Sequence, residues 1–187
     1  IAVALTYSPP GELGSQAPDF SLIGTDGKTY SLKDFAHAKS LVVVFMCNHC
    51  PYVQAVRGRI NALAKEFAPR GLKLIGINSN DVVEYPEDDF EAMKREVLEQ
   101  GYEFPYLWDE TQSVARAYGA VCTPDFYVYS PDKGAQVLRY RGRFDDQWKD
   151  ESKVKVRDLA QAVQQILSGA PVNPKQPASM GCSIKWK

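Results

Sequence analysis

Apolar residues form two short runs that are typical of strands buried on both faces of a sheet. The runs are SLVVVF at 40–45 and LKLIGIN at 72–78. Between them, apolar side chains recur at helical spacing after Pro51, at Val53, Val56, Ile60, Leu63 and Phe67. This order predicts a β-α-β unit with two parallel strands and a right-handed crossover.

Further elements are predicted on both sides of this unit. A hairpin around Asp26-Gly27 precedes it over residues 19–32. After it we expect a helix at 87–100, a short strand at 105–109 and a short helix that ends at Tyr118. A second hairpin at 125–142 and a closing helix at 152–168 follow. Residues 170–187 carry three prolines and no period, which predicts an extended tail. We therefore expect a single domain over residues 1–168 and a tail over residues 169–187 that packs on or near it.

Composition and charge limit the classes of function that the chain can have. The chain has 187 residues and a net charge of −1, so nothing favours nucleic acid or an anionic membrane surface as a partner. It contains no apolar run long enough to span a membrane. The first ten residues, IAVALTYSPP, lack a basic segment, so we expect a cytoplasmic protein, or an exported one if they are the remnant of a trimmed signal.

The candidate chemistry lies in CNHC, where Cys47 and Cys50 flank Asn48 and His49. Four cysteines are too few for a disulfide scaffold in a chain of this length, so the pair indicates a redox couple or part of a metal site. Pro51 fits only near the start of a helix, which predicts that both cysteines lie on its first turn. Backbone N–H groups and the helix dipole stabilise a thiolate there.

Four further motifs accompany CNHC: APDFSL (17–22), GTDGKTYSLKDF (24–35), CTPDFYVYSPD (122–132) and GCSIKWK (181–187). With these motifs, the chain resembles the thioredoxin fold, in the branch that holds the peroxiredoxin-like and TlpA- or ResA-like thiol-disulfide oxidoreductases of the AhpC/TSA type. The resemblance implies an α/β fold with a central mixed sheet flanked by helices. An N-terminal hairpin, an inserted helix and the extended C-terminal tail would be added to it.

The resemblance also implies roles for single residues. Cys47 matches the exposed attacking cysteine of such enzymes, and Cys50 matches the buried resolving cysteine. Thr123 and Pro124 match the pair whose backbone binds a substrate peptide, with Pro124 in the cis form. His49 is expected to stabilise the Cys47 thiolate and so to make the disulfide more oxidising than that of thioredoxin. Three residues are possible accessories, namely Asn48, Cys122 and Cys182.

We therefore expect a thiol-disulfide oxidoreductase without a cofactor. It would exchange a Cys47–Cys50 disulfide with client proteins or small disulfides, and an upstream thiol would reduce it. Because the buried acid of thioredoxin is replaced by Leu41, the proton acceptor would be Asp81, Asp125 or water.

Two alternatives stay open. A peroxiredoxin-like peroxidase would use Cys50, which precedes Pro51, and would need Arg139 or Arg141 to replace the usual activating arginine. A zinc or copper module would draw its other ligands from Cys122, Cys182 or the two histidines.

Overall fold

This computed structural model describes residues 4–187, which contain two sheets and four α-helices. Residues 1–3, which begin the segment considered above as an export-signal remnant, lie outside the described residues. The first elements are β1 (Leu5–Tyr7), β2 (Ser21–Gly24), β3 (Thr29–Ser31), β4 (Ser40–Phe45), α1 (Pro51–Phe67) and β5 (Leu72–Asn78). They are followed by α2 (Phe90–Gln100), β6 (Tyr106–Trp108), α3 (Ser113–Tyr118), β7 (Cys122–Thr123), β8 (Asp125–Asp132), β9 (Ala135–Gly142), α4 (Asp158–Leu167) and β10 (Met180–Ser183).

The larger sheet has seven strands in the order β3-β2-β6-β5-β4-β8-β9. Strand β4 pairs in parallel with β5 and antiparallel with β8, so the sheet is mixed. The predicted β-α-β unit is confirmed, because α1 connects the parallel neighbours β4 and β5. Both predicted hairpins are also present, as β2–β3 and β8–β9.

All six residues of β4 are buried, because helices cover both faces of the sheet. Val42 and Val44 belong to one apolar cluster, together with the buried face of α1. Val43 and Phe45 belong to the other cluster, together with the buried residues of α3. This two-sided burial explains why the strand reads as a continuous apolar run.

Two helices begin later than predicted. Helix α2 begins at Phe90, because Asp89 caps it by accepting a hydrogen bond from the backbone of Ala92 and a 3-10 turn precedes it. The closing helix α4 begins at Asp158 rather than near residue 152. A separate 3-10 turn occupies Glu151–Lys153, and Val156, between this turn and the helix, is 43% exposed.

The C-terminal tail is part of a second, three-stranded sheet in the order β1-β10-β7. Within the extended tail, residues 180–183 form β10, a strand that the sequence pattern did not predict. Strand β10 pairs antiparallel with both neighbours, and Cys182 lies opposite Leu5 on one side and Thr123 on the other. Among residues 4–187, no helix has the length and apolar character required to cross a bilayer.

Candidate active site

The CNHC segment forms a loop at the carboxyl end of β4, directly before α1. Helix α1 begins at Pro51, and Cys50 is its extended N-cap residue. Cys47 therefore lies in the loop and not on the first helical turn, which corrects the sequence prediction. The reason is that the proline takes the first helical position, where its missing N–H costs nothing.

The loop that faces this segment carries Thr123 and Pro124, and the peptide bond between them is cis, as predicted. The sulfur of Cys47 lies 3.7 Å from Oγ1 of Thr123. The thiol of Cys50 donates to the carbonyl oxygen of Thr123 at 3.3 Å. The fold thus brings the four residues of the predicted centre together.

A third thiol touches the couple, and it belongs to the tail. The sulfur of Cys182 lies 2.6 Å from the sulfur of Cys50. The thiol of Cys122, the other candidate, donates to the carbonyl oxygen of Pro124 at 3.7 Å. Of the two possible accessory cysteines, Cys182 is therefore the one in contact with the CNHC thiols.

Both cysteines of the couple are buried in this arrangement. Cys47 is 1% exposed and Cys50 is fully covered. The expectation that Cys47 would be exposed is therefore wrong for this state of the protein. Cys47 packs within the same apolar cluster as Tyr102 and Tyr106, and Cys182 covers the sulfur of Cys50.

Burial and contacts among the three thiols shift their pKa values in opposite directions. Burial raises the pKa of Cys47. The contacts with Cys182, first, and with Cys47 lower the pKa of Cys50. The same contact with Cys50 raises the pKa of Cys182. With the tail in place, Cys50, at the N-terminus of α1, is therefore the thiol of the centre whose pKa is lowered.

Asp88 holds the CNHC loop in position, a role that the sequence did not reveal. Its Oδ1 accepts from the backbone N–H groups of Asn48 at 2.8 Å and His49 at 3.3 Å. Its Oδ2 accepts from the ring of His49 and from the side chain of Asn80. Asn78 donates to its backbone carbonyl. The residues at the end of β5 and after it therefore reach the same edge of the sheet as the cysteines.

Asn48 connects the loop to two further elements. Its side-chain amide donates to the carbonyl oxygen of Glu87 at 3.1 Å, and its Oδ1 accepts from the hydroxyl of Tyr106 at 2.8 Å. Asn48, one of the possible accessory residues, therefore fixes the backbone between the two cysteines and does not contact a thiol through these bonds.

His49 pairs with Asp88 through Nδ1 and stacks on Tyr85, with the ring centres 5.6 Å apart. The bond to Asp88 raises the pKa of His49. The carboxylate also raises the pKa of Cys47, so it opposes the thiolate stabilisation expected from His49. Ligand atoms of Cys47, His49 and Asp88 lie within 4.8 Å of one another, a different set from the one considered for a metal. Both oxygens of this carboxylate already accept hydrogen bonds from the loop and from Asn80.

The His49–Asp88 pair should make stability depend on pH. Because the folded pKa of His49 is raised, its contribution is complete below about pH 6.5, the unfolded value, and is lost as pH rises through the folded pKa. We expect the melting temperature of the wild type to fall more than that of His49→Gln as pH is raised through this window. His37→Gln is the matched control, since the side chain of His37 is exposed. Parallel pH curves for wild type and His49→Gln would contradict the prediction.

The arginines considered for a peroxidase are held elsewhere. Arg141 forms a buried ion pair with Asp125 at 2.8 Å, and its guanidinium packs over the ring of Tyr127. Arg139 pairs with Asp132 at the surface. Neither guanidinium is among the hydrogen-bond partners of Cys50 within residues 4–187.

The acids considered as proton acceptors also have other partners. Asp125 is paired with Arg141, and burial raises the pKa of its carboxyl group. Asp81 accepts from the backbone of Val83 in its own loop.

Residues 13–143 match the AhpC/TSA family. Over 128 residues the chain is 25% identical to a thiol-disulfide oxidoreductase ResA of Bacillus thuringiensis subsp. konkukian, covering 68% of each protein. It is 27% identical over 109 residues to a putative peroxiredoxin bcp of Helicobacter pylori, covering 58% of this chain and 66% of that protein. Both kinds of activity considered for the sequence therefore occur among the names of its relatives.

Solved structures give the same picture of the fold. An uncharacterized conserved protein from Geobacillus kaustophilus is 42% identical, with a TM-score of 0.93 over 100% of this chain and 98% of that one. A putative thiol:disulfide interchange protein DsbE from Chlorobium tepidum superposes with a TM-score of 0.59 at 18% identity, over 84% of this chain and 96% of that one. The second likeness concerns the fold alone.

Proposed function

Because this chain belongs to the AhpC/TSA family, we propose that it is a thiol-disulfide oxidoreductase that works through Cys47 and Cys50. The family, the mixed α/β fold and the oxidoreductase class expected from the sequence are confirmed. One observation carries the proposal. The two thiols of the CNHC loop lie together against the cis loop, each within reach of Thr123.

The proposed reaction is thiol-disulfide exchange. The thiolate of Cys47 attacks one sulfur of a client disulfide, and the other client sulfur leaves as a thiolate. Cys50 then attacks the Cys47 sulfur of this mixed disulfide and releases the second client thiolate. The client gains two electrons, the couple becomes a Cys47–Cys50 disulfide, and an upstream thiol reductant restores it.

Client access requires a movement of the tail. A client strand would pair with the backbone edge at Thr123, as extended peptides do with an exposed sheet edge. That edge is already paired with β10, and Cys182 lies opposite Thr123. We propose that the arrangement with β10 in place is a resting state, and that β10 leaves the edge before a client protein binds.

A peroxidase is the second candidate, and the position of Cys50 favours it. Cys50 lies at the start of α1 with a lowered pKa, as a peroxide-reactive thiol would. Against it, the guanidinium of Arg141 is bound to Asp125. Arg139 is likewise paired, with Asp132, so neither arginine considered for the role is placed to hold a peroxide and stabilise its leaving oxygen.

A comparison of two substrates tests the proposal. We expect the wild type to accelerate the dithiothreitol-dependent reduction of insulin. We also expect the fully reduced protein to consume hydrogen peroxide within about tenfold of the rate of a free thiol, because Arg139 and Arg141 are paired with carboxylates. Stopped-flow fluorescence of the tryptophans and a coupled peroxide assay would measure the second rate. A peroxide rate several orders of magnitude higher, without insulin reduction, would make the protein a peroxidase instead.

A further inference from the structure

We propose that Cys182 is a third redox residue, which takes over the disulfide of the Cys47–Cys50 couple by bonding to Cys50. This inference rests on the proposed function, because the Cys47–Cys50 disulfide is the species that Cys182 attacks. It assigns a catalytic role to the tail, whose other contacts are structural.

The positions of the sulfurs carry the inference. The sulfur of Cys182 lies 2.6 Å from that of Cys50, a distance at which a small shift of either side chain makes a bond. Both side chains are buried, at 3% and 0% exposure. The contact joins residues that are 132 positions apart in the chain, so local chain geometry does not produce it.

The tail is fastened on both sides of Cys182. Before it, the hydroxyl of Ser179 donates to the carbonyl oxygen of Pro124 at 2.6 Å. After it, the backbone N–H of Lys185 donates to Oδ1 of Asn80 at 2.9 Å. Between these points, Gly181 passes so close to Thr123 that an added Cβ would lie 1.9 Å from the carbonyl oxygen. The contact between the two sulfurs is therefore held by tail contacts on both sides of Cys182.

The register of β10 places Cys182 where the cysteine of a client strand would lie. Cys182 lies opposite Thr123 in an antiparallel pair, at the edge where a client strand would bind. The tail therefore presents its own cysteine to the couple much as a client would present one. The difference is that this thiol belongs to the same chain and its effective concentration is high.

The proposed step is an internal exchange. The sulfur of Cys182, deprotonated as it attacks, bonds to the Cys50 sulfur of the Cys47–Cys50 disulfide. The bond between Cys47 and Cys50 breaks, and Cys47 leaves as a thiolate that takes up a proton. The number of disulfides is unchanged, so no external oxidant or reductant is consumed. Reversal of the step returns the disulfide to the couple.

Tryptic mapping under non-reducing conditions tests this inference. No cleavage site separates Cys47 from Cys50, so both remain in peptide 40–57, whereas Cys182 is in peptide 176–185. A Cys47–Cys50 bond therefore stays within one peptide, and a Cys50–Cys182 bond links two. The reduced protein would be oxidised with diamide, quenched in acid with N-ethylmaleimide, digested and analysed by mass spectrometry.

We expect the wild type to give both species. In Cys47→Ser the linked pair should become the main product, and in Cys50→Ser it should disappear. Cys122→Ser is the matched control and should leave both species unchanged, because that thiol lies on peptide 117–133 and bonds to Pro124.

The outcomes separate this inference from the proposed function. An internal bond in peptide 40–57 without any linked pair, in the wild type and in Cys47→Ser, would overturn the role of Cys182 and leave the proposed function intact. If oxidation produces neither species, the redox couple itself is wrong. Circular dichroism of each variant before oxidation shows that it is folded.

Discussion

Replacement of Cys50 by serine is expected to abolish disulfide exchange, with a loss of at least about a thousandfold in insulin reduction. Cys50 is the sulfur shared by both disulfides proposed here, since it bonds to Cys47 in one and to Cys182 in the other. Its thiol also carries the lowered pKa of the centre. A serine hydroxyl cannot form either bond. The initial rate of insulin reduction with dithiothreitol measures the effect.

The control for this prediction is Cys122→Ser. This substitution also replaces a buried thiol by a hydroxyl, but at a residue whose bond is to Pro124. We expect it to keep most of the wild-type rate. Residual activity of Cys50→Ser near that of Cys122→Ser would show that Cys50 does not take part in the exchange.

Cys50→Ser should also hold mixed disulfides with clients through Cys47, because no second thiol remains to release them. The order of the two cysteines rests on the resemblance. In the resting state the pKa of Cys50 is lowered, and the contact with Cys182 is the first cause. That contact is lost when β10 leaves, so Cys47 can act as the attacking thiol in the open state. If Cys47→Ser holds the clients instead, the roles are reversed.

Much of the fold follows from local sequence signals. The two apolar runs predicted β4 and β5 because both faces of those strands are covered, and such strands leave a continuous apolar pattern. Pro51 indicated where α1 begins, although the cysteines before it lie outside the helix. The cis bond at Pro124, in contrast, followed from the resemblance, since an isolated Thr-Pro pair carries no such signal.

The parts that could not be predicted depend on contacts between distant residues. Strand β10 consists of four residues, MGCS, with little apolar character, and it forms because two edges are available to it. Asp88 is one of three consecutive acidic residues (87–89), and only the three-dimensional structure shows that it binds the CNHC loop. A glycine precedes the tail cysteine because a side chain at position 181 would clash with the backbone of Thr123. Hydrophobic periodicity carries no signal for such a contact.

Substitution of Gly181 by alanine is expected to free the tail and expose the couple. The added Cβ would meet the backbone oxygen of Thr123 at 1.9 Å, and a backbone atom at that distance cannot move aside as a flexible side chain could. Overpacking at this position is expected to cost about 3 kcal/mol, which shifts the docking equilibrium of β10 roughly a hundredfold toward the undocked strand. We therefore expect iodoacetamide to modify the cysteines of the reduced couple about a hundredfold faster than in the wild type.

The matched control is Gly58→Ala, in α1, where an added Cβ meets nothing within 4 Å. This substitution should leave the alkylation rate unchanged and stabilise the helix slightly. In Gly181→Ala the Cys50–Cys182 link should also decrease, while the Cys47–Cys50 bond still forms. A faster alkylation rate in Gly181→Ala than in the wild type would show that the docked tail limits access to the couple. Equal alkylation of folded Gly181→Ala and wild type would mean that a client reaches the couple with β10 in place, so that the tail contributes its thiol without controlling entry.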